Sequence, residues 1–195
     1  PRQPGIDRRA RMIEAPAVDF VARHHGRLPT LALGHSFGGQ TFAVDAHSRR
    51  VIEGAFLVAS QSGYYGTFEG KAGLLTRLFW FGLLPAATTT FGYLPGWVGL
   101  GEDIPRGAAE QWRTWCKSER YFLSTHPHYE RALASFHGPL EALSFSDDWY
   151  APRVNVDWLL ARYRGAGVDH RHIMARYAGA EQAGDLEALL ALQGG

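Results

Sequence analysis

A chain of 195 residues, 46% of them hydrophobic, has the size of one domain with a sizeable core, which excludes general disorder. Its formal charge of +1, from 20 basic and 19 acidic residues, leaves no electrostatic footprint for nucleic acid, whose binders depend on clustered cations. The single cysteine, Cys116, permits no intramolecular disulfide, so nothing requires an oxidising compartment and a cytoplasmic setting is expected.

The first nine residues are polar and carry no apolar stretch of the kind a secretory signal needs. The start at Pro1 rather than at methionine leads to the expectation of a piece of a longer protein. Residues 7–25 are predicted as a helix, since Met12, Ile13, Ala17, Phe20 and Val21 recur at three- and four-residue spacing and Asp7 stands at its start. His24 and His25 fall at its end, where a helix dipole favours cations, and need no metal to explain them.

Residues 28–34 are predicted as a strand that runs straight into Gly34-His35-Ser36-Phe37-Gly38. This is a G-x-S-x-G turn in its required setting, with a strand before it and a helix-like stretch, 37–47, after it. Glycines on either side remove the Cβ atoms that would collide where the backbone bends, and the serine hydroxyl is held out at the end of a buried strand. Ser36 is the candidate nucleophile. The stretch 51–59 is a nearly unbroken apolar run with β-branched members, predicted as a parallel strand covered on both faces. Its outgoing loop, Ser60-Gln-Ser-Gly-Tyr-Tyr65, should open on the same edge as Ser36.

From 66 to 137 the composition turns aromatic and is broken by Gly and Pro. Residues 78–101 carry no charge, yet Gly82, Pro85, Gly92, Pro95 and Gly96 interrupt them too often for one membrane-crossing helix, so no membrane partner is expected. An insertion folded as a lid over an apolar pocket fits better. Asp103 with Pro105 signals a helix start, and Trp112 and Trp115 should share one helical face; Cys116 then falls on the same helix, with no chemistry. His126-Pro-His128 leads into a short helix at 129–136, which argues against a zinc pair. A strand at 140–146, a helix at 154–163 and a last strand at 168–173 complete the order, followed by a helical tail at 181–192.

Three stretches, Gly34-His-Ser-Phe-Gly-Gly-Gln40, Val58-Ala-Ser-Gln-Ser-Gly-Tyr64 and Ser144-Phe-Ser-Asp-Asp148 with Ala151-Pro152, resemble the α/β-hydrolase superfamily, and within it bacterial predicted hydrolases of undefined substrate. The resemblance runs from the elbow strand to about residue 173. It implies a partial α/β-hydrolase fold: a mainly parallel sheet with flanking helices, a core of residues 1–65 and 138–195, and the lid at 66–137 inserted between them. The early strands of the superfamily and its C-terminal histidine stretch are absent from this pattern.

The resemblance also implies roles. The N–H of Phe37 would be one oxyanion donor, and Asp148, in a D-x-x-x-P arrangement after the strand, the acid that accepts an imidazole Nδ1–H. Asp147 could exchange roles with it. The superfamily places the histidine after the last strand, but no histidine follows His172 here. His172 is therefore the candidate base, set against the reading that the base is missing; as strand residues two apart, His170 and His172 should share one sheet face. His35, Tyr64, Tyr65 and Trp80 are the candidate substrate-binding residues. No metal site, cofactor, phosphate loop or dinucleotide fingerprint is implied. The function expected is a serine hydrolase of esterase or lipase-like type acting on a small-molecule apolar ester or related acyl substrate. The alternative is a catalytically impaired relative that binds a hydrophobic ligand or partner.

Overall fold

The computed structural model describes residues 6–25, 28–98 and 102–174. Helix α1 spans Ile6–His25, as its apolar spacing predicts. Its Val18 packs on the core, whereas Phe20 lies exposed with its ring stacked on His24, centroids 4.1 Å apart.

Four strands form one sheet: β1 (Thr30–His35), β2 (Ile52–Val58), β5 (Pro139–Phe145) and β6 (Gly167–Ile173), in the order β1-β2-β5-β6 and all parallel. Consecutive parallel strands need crossovers, and the segments between them supply helices. The fold class is therefore α/β as read, a mainly parallel sheet with flanking helices. One sheet face carries buried Ala55, Leu57, Leu140, Ala142 and Ser144. The other face is only half covered by the described residues: Phe56, Val58, Leu143 and Phe145 are half-buried, and Leu31 and Leu33 of the edge strand β1 are 72% and 77% exposed. Among the described residues the cover predicted for both faces of β2 is thus complete on one face and partial on the other.

The long helix predicted after the elbow is a second correction. Only α2 (Gly38–Thr41) is helical, followed by turns and a short α3 (Ser48–Val51). Asp45 explains the break, because its Oδ2 accepts hydrogen bonds from the N–H groups of His47 (2.8 Å) and Ser48 (2.9 Å). A side chain that bonds backbone in this way competes with the helical ladder and starts a new turn. Burial pushes the Asp45 carboxyl up, but the bonds from Ser48 and His47 outweigh it and hold the group below its ordinary value.

Between β2 and β5 the chain is mostly helical. Helix α4 (Gly70–Leu78) widens into a π-helical turn at Phe79–Leu83 and continues as α5 (Leu84–Phe91), which Gly92 ends in the left-handed region at φ 78°. The two-residue strands β3 (Tyr93–Leu94) and β4 (Ile104–Pro105) pair antiparallel ahead of α6 (Arg106–Cys116). Asp103 does not cap α6 as predicted; its Oδ1 accepts the Gly96 N–H at 2.8 Å and fastens the preceding loop. Trp115 and Cys116 are buried at the end of α6, and burial pushes the Cys116 thiol well up, away from thiolate chemistry. Helix α7 (Tyr129–Ala134) leads to β5, and α8 (Arg153–Leu160) links β5 to β6. The tail predicted as helical at 181–192 lies outside the described residues. No helix among them is long and apolar enough to cross a membrane.

Candidate active site

The carboxyl ends of parallel strands share one rim, and β1 delivers Ser36 there. Ser36 takes φ +50°, a left-handed conformation that an L-residue adopts at a cost of about 1–2 kcal/mol. Its N–H donates to the Val58 carbonyl at 2.9 Å, which pins the turn to β2. The residue is exposed, and no described residue hydrogen-bonds its hydroxyl. The N–H of Phe37 is likewise without a partner among the described residues, while the Phe37 ring lies parallel to Trp115 of α6 at 6.3 Å.

Two glycines mesh to make this turn. A Cβ on Gly34 would stand 2.5 Å from the Gly39 Cα and 2.7 Å from its N. One on Gly39 would collide with the Ser60 side chain and reach 3.0 Å from Leu57 Cδ2. The end of β1 and the start of α2 are therefore in backbone contact, closer than any side chain allows.

The turn after β5 carries Asp147 and Asp148. Asp148 Oδ1 accepts the N–H groups of Tyr150 (2.9 Å) and Ala151 (3.0 Å), which leaves Oδ2 with no bond to a described residue. Asp147 is exposed. Ser36 and Asp148 thus leave the same rim with β2 between their strands, two strand spacings or roughly 9–10 Å apart at the backbone.

His172 lies on β6, three strand spacings, about 14 Å, from β1. As the two-residue spacing predicts, His170 and His172 share a face, and both reach the buried Ser144 hydroxyl of β5, His170 Nε2 at 2.8 Å and His172 Nδ1 at 2.7 Å. The far nitrogen of His170 donates to Asp157 Oδ1 of α8 at 2.9 Å. This Asp157–His170–Ser144–His172 chain escaped the sequence reading, although an H-x-H strand beside a serine-bearing strand was its visible trace. No hydrogen bond among the described residues joins Ser36, His172 and Asp148.

A cavity of about 320 Å³ lies beside the rim. Its walls include Gln61 of the loop after β2, Trp149 and Tyr150 of the turn after β5, and Phe79, Trp80 and Trp112 of the segment between β2 and β5. Ser36 does not line it. Gln40 and Gln61 connect the two places: Gln40 Nε2 donates to the Gln61 carbonyl at 2.6 Å, and Gln61 Nε2 to the Tyr150 carbonyl at 2.8 Å. Among the described residues no charged side chain faces the cavity, so it suits an uncharged apolar group.

The four residues singled out for substrate contact separate. Trp80 is buried, lines the cavity and meets Trp112 edge-to-face at 5.0 Å. Tyr64 points away and donates its hydroxyl to Glu119 at 3.3 Å; burial and that carboxylate raise its phenol. Tyr65 packs edge-to-face on Phe81 at 5.3 Å beside a separate shallow depression. His35 is exposed at the end of β1, on the face opposite the core. Trp149 and Tyr150 were missed, although they directly follow Asp147-Asp148 in sequence. Among the described residues no group of three or more His, Cys, Asp or Glu is arranged to hold a metal ion.

No family model and no curated protein matches this sequence. Among solved structures the chain is similar to Est816, an N-acyl homoserine lactone degrading enzyme, at 14% identity and a TM-score of 0.45, covering 97% of this chain and 74% of that one. It is also similar to Est1E from Butyrivibrio proteoclasticus, at 12% identity and 0.47, covering 92% and 67%. A hydrolase from Pseudomonas aeruginosa PA01 gives 15% identity and 0.43, covering 100% and 74%. Identities this low speak to shape alone.

Proposed function

We propose that the chain is a serine hydrolase of esterase or lipase-like type, acting on an apolar ester or related acyl substrate through Ser36. The observation that supports this best is the left-handed backbone of Ser36 at the carboxyl end of a parallel strand, with an exposed hydroxyl that no described residue bonds, on the rim that also bears Asp148. Backbone strain of this kind persists where function needs it, because the turn aims the hydroxyl away from the sheet.

In this reading Ser36 Oγ attacks the acyl carbon, its proton passes to a base, and the alcohol leaves with that proton. The developing oxyanion lies against the free N–H of Phe37. Asp148, with Oδ2 free of described partners, is in this reading the carboxylate that accepts the Nδ1–H of the imidazole base and stabilises the imidazolium. Segment 66–137 acts as a lid, and the 320 Å³ cavity between it and the acid-bearing turn receives the acyl part. A fluorophosphonate probe, followed by sequencing of the labelled peptide, tests the reading. Label on Ser36 that Ser36→Ala abolishes supports it, and a folded protein that takes no label removes it.

A specific observation keeps a second reading in view. His172 spends Nδ1 on Ser144, three strands from the serine it would serve. A chain without its base loses about four orders of magnitude or more in turnover and becomes a binder of hydrophobic ligands. Ester hydrolysis that disappears in Ser36→Ala argues against this alternative.

A further inference from the structure

The helical run Gly70–Phe91 wears apolar side chains on its outside. Leu74, Leu75, Leu78, Phe81 and Leu83 are 61%, 60%, 58%, 48% and 44% exposed. Soluble surfaces scatter such residues singly; a contiguous group of five marks a contact surface. Spacing explains the group: Leu74, Leu75 and Leu78 fall on one helical face with Lys71 at its start, and the π turn carries Phe81 and Leu83 onward beside it.

The surroundings identify the kind of partner. Lys71, Arg77 and Lys117 are exposed around the stripe, with Glu69 and Glu119 the opposing carboxylates, and Glu119 is engaged by the Tyr64 hydroxyl. Lys117 Nζ sits 4.9 Å from the Phe81 ring centroid and the Arg77 guanidinium 5.9 Å from that of Tyr65, so both stems lie along aromatic surface and leave the charges at the margin. An apolar centre with cations at its edge is complementary to an anionic lipid surface, whose acyl layer takes the former and whose headgroups take the latter. Leu75, Leu78 and Leu83 also line the 320 Å³ cavity, so the stripe forms the cavity's own rim.

We propose that this stripe docks the chain onto the surface of anionic lipid, lying in the interface. A sequence that excludes a membrane span leaves such a contact open, because a helix too interrupted to cross can still bury one face in the headgroup boundary. The proposal is independent of Ser36, since docking requires no turnover.

Flotation with vesicles of phosphatidylglycerol and phosphatidylcholine tests it. The protein should rise with vesicles rich in phosphatidylglycerol and much less with pure phosphatidylcholine. Leu74→Ser with Phe81→Ser, neither of which lines the cavity, should lower binding about tenfold or more. Lys71→Glu with Arg77→Glu should lower it by roughly five-fold per lost cation, as should raised salt. All four positions are exposed, and an unchanged circular dichroism spectrum shows that the variants fold. A protein that stays at the bottom of the gradient, or variants that float as well as the parent, overturns the proposal. A dimer in sedimentation that Leu74→Ser with Phe81→Ser converts to monomer also overturns it, since the stripe would then belong to a second copy.

Discussion

Gly34→Ala offers a sharp trial of how the elbow is built. The new Cβ would stand 2.5 Å from the Gly39 Cα, where ordinary contact begins at 3.4 Å, so the end of β1 and the start of α2 must part by about 1 Å. Both atoms are backbone, and no rotamer change relieves the clash. Overpacking of this kind costs about 1–3 kcal/mol. For a chain of this size each kcal/mol lowers the melting temperature by about 2–4 °C, giving a fall of roughly 2–12 °C. The same shift moves Ser36, and a 1 Å misplacement at a reacting group costs about 100-fold in rate, so fluorophosphonate labelling should slow by about that factor. Gly38→Ala is the control, because a Cβ there meets nothing within 4 Å. Thermal unfolding and labelling kinetics on the two variants decide the matter. If Gly34→Ala melts and labels as Gly38→Ala does, the close approach of the strand end to α2 is refuted.

Ser36→Gly should be more stable than Ser36→Ala by up to about 1 kcal/mol in urea unfolding, because glycine accepts φ +50° without strain. Asp45→Ala should cost about 1 kcal/mol at pH 7 through the two lost bonds from the His47 and Ser48 N–H groups. The folded Asp45 carboxyl lies below its unfolded value, so its stabilisation is full above about pH 4 and fades as pH falls through the folded value; urea midpoints of the variant should be flatter on that acid limb. Ser144→Ala should cost about 1–3 kcal/mol by leaving the inward nitrogens of His170 and His172 unbonded, whereas Ser144→Thr keeps the hydroxyl and restores part of it. Trp80→Ala should enlarge the cavity and raise uptake of a larger apolar dye, read by fluorescence titration.

Strands β1 and β2 were legible as local signals, apolar runs with the glycine-bearing elbow closing the first, whereas the mostly polar β6 was legible only from its place in the chain order. The Ser36 and Asp148 turns follow from chain order once the strands are parallel. The length of the helix after the elbow was not legible, since Asp45 breaks it through two backbone bonds that no apolar period reveals. The cavity wall was half legible. Trp80 belongs to the aromatic stretch visible in composition, but Trp149 and Tyr150 join it only because β5 lies beside β2 and its turn meets the helices between those strands. Tyr64 had the right address in the chain, yet Glu119, 55 positions away, draws its hydroxyl elsewhere.

The Ser144 hydroxyl owns one hydrogen to share between two imidazoles. A carboxylate can only accept, so Asp157 requires the hydrogen of His170 on Nδ1, and a neutral ring then turns a bare Nε2 toward Ser144 and takes its hydrogen. His172 must in that case supply its own hydrogen on Nδ1 and keep a lone pair on Nε2. A proton added to His170 reverses every step: Ser144 receives from Nε2, gives to His172, and His172 exchanges tautomer without changing charge. The tautomers of the two rings are therefore set together, and an event at the α8 surface rewrites which nitrogen on β6 carries the lone pair.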